Sequence, residues 1–464
     1  MNSEPPTQSC RWGIVGGGML GLALAKRLAE RGQQVTVMEG APEIGGLAGA
    51  WRLGDVIWDR HYHVTLLSDA RLRTLLRDLG LEDEMQWVET RTGFYTDGRQ
   101  YSMSNTLEFL RFPPLGFLDK LRLGATIFAA SRIKNWRPLE NVLVADWLRK
   151  WSGERTFRKI WQPLLQAKLG ECYRKTSAAF IWATIQRMYA ARNSGLKKEM
   201  FGYVRGGYAR VLERFAESLQ AEGVELRTNC RVSNVAMQPD GQVLVESNRG
   251  SQWFDRVVLT APSPIVAQLC PQLGEDERRR HEQIQYLGIV CASVLLKQPL
   301  TDFYVTNITD AGLPFTAVIG MTTLVDPTEV NGNHLVYLPR YAAADDEVWD
   351  WSDHEIEEQF LSALLRMYPR FRREDVTAFR LSRAKHVMAL PTLGYSEQLP
   401  PMKTDAENVF AVNSAHIVKG TLNVNEVLEL ADDAFDRILA PSIPNMTNVV
   451  APHDQAAGEL VARS

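Results

Sequence analysis

Three glycines, Gly16, Gly18 and Gly21, stand in G-x-G-x-x-G spacing, and an acid, Glu39, follows 18 residues after the last of them. These types at this spacing suit the binding of a dinucleotide. Gly16 permits a tight turn out of a strand, Gly18 lets the backbone approach a pyrophosphate, and Gly21 lets a helix pack closely on a sheet. The backbone N–H groups at Met19 and Leu20 and the positive end of the helix dipole would then face the phosphates. A carboxylate at Glu39 can accept hydrogen bonds from ribose hydroxyls and disfavours a 2′-phosphate, which argues against NADP. The elements that must position these groups are legible on either side. The apolar run Trp12 to Val15 predicts a strand, Leu20 to Ala29 an amphipathic helix, and Val35 to Met38 a second strand ending at Glu39.

Just beyond Glu39 come Pro42 and then Gly45, Gly46, Leu47, Ala48 and Gly49. This stretch resembles the GG motif that follows the second strand in the flavin amine oxidase superfamily, the group of amine oxidases, protoporphyrinogen oxidases and carotenoid desaturases. The resemblance implies FAD as the cofactor, with Gly45, Gly46, Leu47 and Ala48 running past the pyrophosphate and ribityl chain. Many members carry arginine after the two glycines. Here it is Leu47, so one phosphate contact is missing or supplied elsewhere. No cysteine or histidine stands in a recognisable attachment motif, so the FAD is expected to be noncovalent.

Later segments continue the resemblance. Trp161 to Gly170 (WQPLLQAKLG) is similar to the helical domain of protoporphyrinogen oxidase-like and desaturase-like flavoproteins, and its Lys168 reads as structural. The strand around Val232 matches the one that gives adenine contacts. Near the C-terminus the strand Val409 to Val412 and a helix starting near Asn423 resemble the segment that points a helix N-terminus at the flavin pyrimidine. That places Asn413, Asn423 and Val424 at the cofactor, with Asn425 and Glu426 as neighbours. The family has Gly-Asp where Asn413-Ser414 stands, and asparagine brings hydrogen bonds without charge.

The implied fold is α/β: a Rossmann-like FAD-binding domain with a GR2-type parallel sheet and an inserted, mixed α+β substrate domain. Residues 1–68, 201–280 and 385–440 would build the FAD-binding domain. Residues 69–200 would form a helical substrate or lid domain, 281–384 an antiparallel substrate sheet, and 441–464 a tail.

Three side chains are catalytic candidates. If the stretch after Asp59 is a strand, His61 and His63 share one face. They read as flavin-proximal imidazoles or as internally bonded ones, and with no third ligand evident they do not read as a metal site. Arg340 ends the run Leu335 to Arg340. Its guanidinium suits an acidic or phosphorylated substrate, or a plain salt bridge.

Composition narrows the classes. A formal charge of −3 on 464 residues gives no electrostatic case for nucleic acid. The five cysteines are scattered with no CxxC pair, which fits reduced thiols in a cytoplasmic setting. The first residues lack the basic start and apolar core of a signal peptide, and no uninterrupted apolar window reaches the ~18 residues of a membrane span. Residues 109–136 mix aromatic and aliphatic residues with Arg111, Lys120, Arg122, Arg132 and Lys134 and hold one acid, Asp119. Such a segment suits peripheral contact with the inner face of an anionic membrane, or a lid over a cavity.

The sequence therefore points to an FAD-dependent oxidoreductase taking a hydride from a hydrophobic or cyclic small molecule, protoporphyrinogen oxidase-like. A non-redox sugar mutase resembling UDP-galactopyranose mutase, with Arg340 meeting diphosphate, and a catalytically silent flavin-binding protein are the alternatives. The substrate, the electron acceptor and the oligomeric state stay open.

Overall fold

The apolar runs at the N-terminus form strands Arg11–Val15 and Gln34–Met38, with helix Met19–Ala29 between them. All but the first residue of each strand are buried, as befits strands covered on both faces. The computed structural model describes residues 9–192 and 200–443. In it these two strands sit inside a five-stranded sheet ordered Glu225–Arg227, Gln34–Met38, Arg11–Val15, Arg256–Leu259, Val409–Ala411. Every pairing is parallel. The order reverses direction next to Arg11–Val15. In open α/β sheets that switch point, at the carboxyl ends of the strands, is where ligands bind. Helices Met19–Ala29, Gly207–Ala221 and Val424–Ala434 share one core beneath the sheet. A meander of Val232–Met237, Val243–Ser247 and Gly250–Phe254 covers the other face.

A second sheet has seven strands, with Val376–Ala389, Tyr286–Leu296 and His334–Ala342 at one side and Thr92–Thr96 and Arg99–Ser102 at the other. It is antiparallel except where Val305–Ile308 meets Thr92–Thr96. The turn of the Thr92–Ser102 hairpin is Asp97-Gly98, both with positive φ, as a two-residue hairpin turn requires. Tyr286–Leu296 is buried along its whole length, so its period of two divides two cores. Ile289, Cys291 and Leu295 join Trp58, Leu66 and Tyr337 on the side of the parallel sheet. Val290, Ala292, Val294 and Leu296 pack on helix Asp353–Met367, which starts on a capping box of Ser352 and Glu355.

A helical cap completes the chain. Helices Phe117–Arg132, Val144–Ser152, Gln162–Leu169 and Ala178–Arg192 close on Trp147, Phe157, Trp161, Tyr173 and Trp182. Pro163 lies just after the π-helical turn Phe157–Trp161, in a helical run continuous from Glu154 to Leu169. Among the described residues no helix is long and apolar enough to cross a membrane. The tail expected over 441–464 lies, past residue 443, outside the described residues.

Candidate functional site

At the carboxyl end of Arg11–Val15 the chain turns at Gly16, whose φ of 113° is closed to most side chains. A Cβ there would also stand 2.4 Å from Thr260 Oγ1, and one on Gly21 would stand 2.0 Å from the Gly16 carbonyl. These two glycines are therefore demanded by packing. Gly18 differs. Its backbone is extended, and the nearest atom to an added Cβ is Gly46 Cα at 4.0 Å. It opens onto a cradle. No side chain caps the first turn of the helix that follows, so its start is open to a ligand at that cradle. Met19 and Leu20 bury their side chains in the core, so only their backbone can meet a ligand.

The second glycine loop lies directly on the first. Gly45 N donates to Gly17 O at 2.7 Å, and a Cβ on Gly46 would stand 3.2 Å from Gly18 Cα. Gly45 and Gly46 both have positive φ. Ala48 is buried, and Leu47 packs beneath, its carbonyl 3.0 Å from His61 Nδ1. Glu39 accepts hydrogen bonds from Gly17 N at 2.7 Å and Ala41 N at 2.8 Å. The same turn binds Asn229 and Cys230 through Ala41 O and Glu39 O. That carries the half-buried Val232 to this end of the sheet, against Val15 and Met38. The open cradle, the uncapped helix and the carboxylate at the loop floor fit a dinucleotide.

The C-terminal residues meet the same end of the sheet, since Val412 N donates to Leu259 O. Their side chains serve the fold. Asn413 is 1% exposed; its Oδ1 accepts from Ala415 N at 3.0 Å and its Nδ2 donates to Ser263 Oγ at 3.2 Å. Asn423 caps helix Val424–Ala434 by accepting from Glu426 N at 3.1 Å, and Val424 packs on the core. Asn425 caps another helix, Ala70–Asp78, by accepting from Arg71 N and Leu72 N. Glu426 curls against Gly420, and burial raises its pKa, with Glu429 adding to the rise. The Asn413 backbone N–H donates to His416 Nδ1 at 3.2 Å, and at Asn423 and Val424 only backbone groups are left for a ligand.

The stretch from Arg60 to Val64 is not a strand, so the shared face expected for His61 and His63 does not form. His61 is buried with Nδ1 on the Leu47 carbonyl and Nε2 without a partner. Burial lowers its pKa to about 4, so the ring is neutral near pH 7. His63 turns toward Asp59, with Nδ1 3.8 Å from Oδ2, and its ring lies 4.8 Å from that of Tyr208. Tyr62, between them, places its hydroxyl 3.0 Å from that of Tyr341. Lys168 Nζ stands 3.3 Å above the Tyr341 ring. Sequence reasoning missed both tyrosines, for nothing local marks residues 62 and 341 as neighbours.

Arg340 lies elsewhere. Its strand continues to Ala342, so it does not cap that strand. Alternation puts it with Val336 and Leu338 on the side of helix Asp353–Met367. There its Nη2 donates to Asp346 Oδ1 at 2.9 Å and the guanidinium lies over Trp351. Tyr341, the next residue, faces the other way.

A small cavity of mixed polarity opens between the helical cap, the end of Val376–Ala389 and the segment after Asn413. Phe180, Val387, Met388, Tyr395, Ile417 and Leu422 wall it. Among the described residues no three His, Cys, Asp or Glu side chains gather as a metal site.

Known proteins match this arrangement. The profile of the flavin-containing amine oxidoreductases covers residues 20–423. A 15-cis-phytoene desaturase of Solanum lycopersicum is 23% identical over 290 residues, 58% of this chain and 49% of that protein. The chain thus spans about half the length of the first curated relatives it matches. An oxidoreductase from Methanosarcina mazei superposes with a TM-score of 0.72 at 16% identity, over 92% of this chain and 100% of that one. A putrescine oxidase bound to putrescine gives 0.71 at 18% identity, over 94% and 100%. At such identities the likeness is one of fold.

Proposed function

The chain belongs to the family of flavin-containing amine oxidoreductases, and from that premise we propose that it is an FAD-dependent oxidoreductase of the desaturase or protoporphyrinogen-oxidase type, taking a hydride from an apolar small molecule. One observation carries the reading: the two glycine loops touch, Gly18 against Gly46, and leave an open cradle at the uncapped start of helix Met19–Ala29. Bound FAD supplies a hydride acceptor in its isoalloxazine ring. The backbone from Gly16 to Leu20 holds the pyrophosphate, Glu39 the ribose, and the strand beginning at Val232 the adenine. Backbone N–H groups at Asn423 and Val424 serve the flavin end, with Asn413 holding the loop before them. The cavity between Phe180, Met388 and Leu422 receives the apolar part of a substrate. His61, neutral and bound to the Leu47 carbonyl, braces the second glycine loop and does not deliver a proton.

The mutase alternative needed Arg340 at a diphosphate. The guanidinium is held by Asp346 on the far face of the sheet, which removes that support.

The reading extends to a membrane surface. Leu107, Leu110, Phe117, Leu118, Leu121 and Phe128 are exposed, Phe117 at 68% and Leu118 at 71%. Arg111, Arg122, Arg132 and Lys134 are exposed beside them, while Asp119, the single acid of 109–136, is buried. Lys120 turns inward to the Leu110 carbonyl. Apolar side chains beside cations that pair with no acid among the described residues suit an anionic lipid surface, which would also deliver an apolar substrate.

The test is anaerobic titration of FAD-loaded protein with neutral polyenes and a reduced cyclic tetrapyrrole. Loss of the flavin absorbance near ~450 nm, with a product carrying one more double bond, is expected. Stoichiometric FAD that no member of the panel bleaches would refute the reading, as would turnover that requires pre-reduced flavin and moves no net electrons.

A further inference from the structure

We propose that Lys168 and the hydroxyls of Tyr62 and Tyr341 form a site for an anionic group, so that the substrate is an apolar molecule bearing a carboxylate. This deepens the functional reading above and rests on it.

The three residues come from separate parts of the chain. Tyr62 follows the hairpin Ala50–Asp59, Lys168 lies on helix Gln162–Leu169, and Tyr341 lies on strand His334–Ala342. Packing aims the lysine. Leu165 and Leu169 bury themselves in the cap, and Ala167 O accepts from Thr316 Oγ1 at 2.8 Å, so the helix is pinned at both levels. Lys168 is left half-buried over the Tyr341 ring.

Several other cations of the cap pair with acids. Arg155 pairs with Asp119, Arg158 with Glu154, Lys159 with Asp97 and Arg174 with Glu171. Among the described residues Lys168 has no such acid and rests on the tyrosine face. A half-buried ammonium that meets a ring face and no carboxylate can still gain a charge-assisted bond from an anionic ligand.

The donor count points the same way. An ammonium offers three donors and no acceptor. The two phenols share one hydrogen bond at 3.0 Å, which consumes one hydroxyl proton and leaves the other to find an acceptor. Burial holds the Tyr62 phenol well above its usual pKa, so it remains a donor. The trio is rich in donors and poor in acceptors, the reverse of a site for an amine, and a cationic substrate would meet like charge.

The site and the cavity border one core: Leu422, which lines the cavity, packs against the same cluster around Trp58 and Tyr337 as Tyr62 and Tyr341 do. An anionic head at Lys168 therefore leaves an apolar body to lie against Leu422, Met388 and Phe180.

The experiment titrates FAD-loaded protein with cis-parinaric acid, a fluorescent polyene carboxylate, and with its methyl ester, and uses inorganic phosphate as competitor. The acid is expected to bind about tenfold or more tighter than the ester, the worth of one charge-assisted hydrogen bond. Lys168→Met should abolish that preference while FAD retention and melting temperature persist. Lys168→Arg should keep it, and Tyr62→Phe and Tyr341→Phe should each weaken it. Equal affinity for acid and ester in the unsubstituted protein overturns the proposal without recourse to any variant. So does an undiminished preference in Lys168→Met, or displacement of the acid by low millimolar phosphate. Protein that retains no FAD instead refutes the functional reading, an outcome distinct from these.

Discussion

Replacing Gly18 by alanine separates folding from cofactor binding. The backbone at Gly18 has φ −74° and ψ 173°, a conformation open to any L-residue, and the added methyl carbon finds its nearest neighbour at 4.0 Å. The protein without FAD should keep its stability or gain up to about 1 kcal/mol from a stiffer unfolded chain. The methyl would, however, stand in the cradle where the pyrophosphate must approach the N–H groups of the helix start. Loss of one charge-assisted hydrogen bond there costs about 1.5–3 kcal/mol, which weakens FAD binding roughly 10- to 150-fold. Gly16→Ala should behave in the opposite way. A φ of 113° and a contact of 2.4 Å with Thr260 Oγ1 strain the fold itself, at about 1–3 kcal/mol for the backbone alone. The assays are thermal unfolding of each apoprotein and titration of FAD by flavin fluorescence. A Gly18→Ala protein that binds FAD within twofold of the parent would show that no phosphate lies at this loop.

Two further outcomes follow from named residues. His61 has a pKa of about 4 against the usual 6.5, so the unfolded chain takes up a proton before the folded one does. Its stabilising contribution is complete above pH 6.5 and drains between pH 6.5 and 4, at up to about 1.4 kcal/mol per pH unit. His61→Asn should flatten the fall of unfolding free energy across that window, and an unchanged slope would contradict the assignment. On the surface, Leu118→Asp with Leu121→Asp should abolish co-sedimentation with phosphatidylglycerol vesicles, since each leucine buried in lipid contributes about 1.5–3 kcal/mol. Salt should weaken the binding of the parent protein, and equal binding to neutral vesicles would remove the electrostatic part of the argument.

Some of this protein is written in short stretches of chain. The strand, glycine turn, helix, strand and acid from Arg11 to Glu39 depend on contacts within some thirty residues, so their spacing alone announces them. The Ser352 start of its helix and the Asp97-Gly98 turn are local in the same way. The resemblance implied that the second glycine loop runs past the pyrophosphate; that Gly18 meets Gly46 is seen only in the fold. Which face a residue presents was beyond any local signal. Arg340 looked functional because it is an arginine at the end of an apolar run. Its neighbour Tyr341 faces the site, because the sheet buries one side against helix Asp353–Met367 and the other toward the parallel sheet. His61 and His63 diverge because tertiary partners, the Leu47 carbonyl and Asp59, outweigh the alternation of a strand that never forms. Tyr62, Lys168 and Tyr341 meet across 279 residues of sequence. Patterns of spacing report hydrogen bonds and dihedral angles fixed between near neighbours. The choice of face and the meeting of distant side chains are set when separate elements bury their surfaces against one another, and only the folded chain decides them.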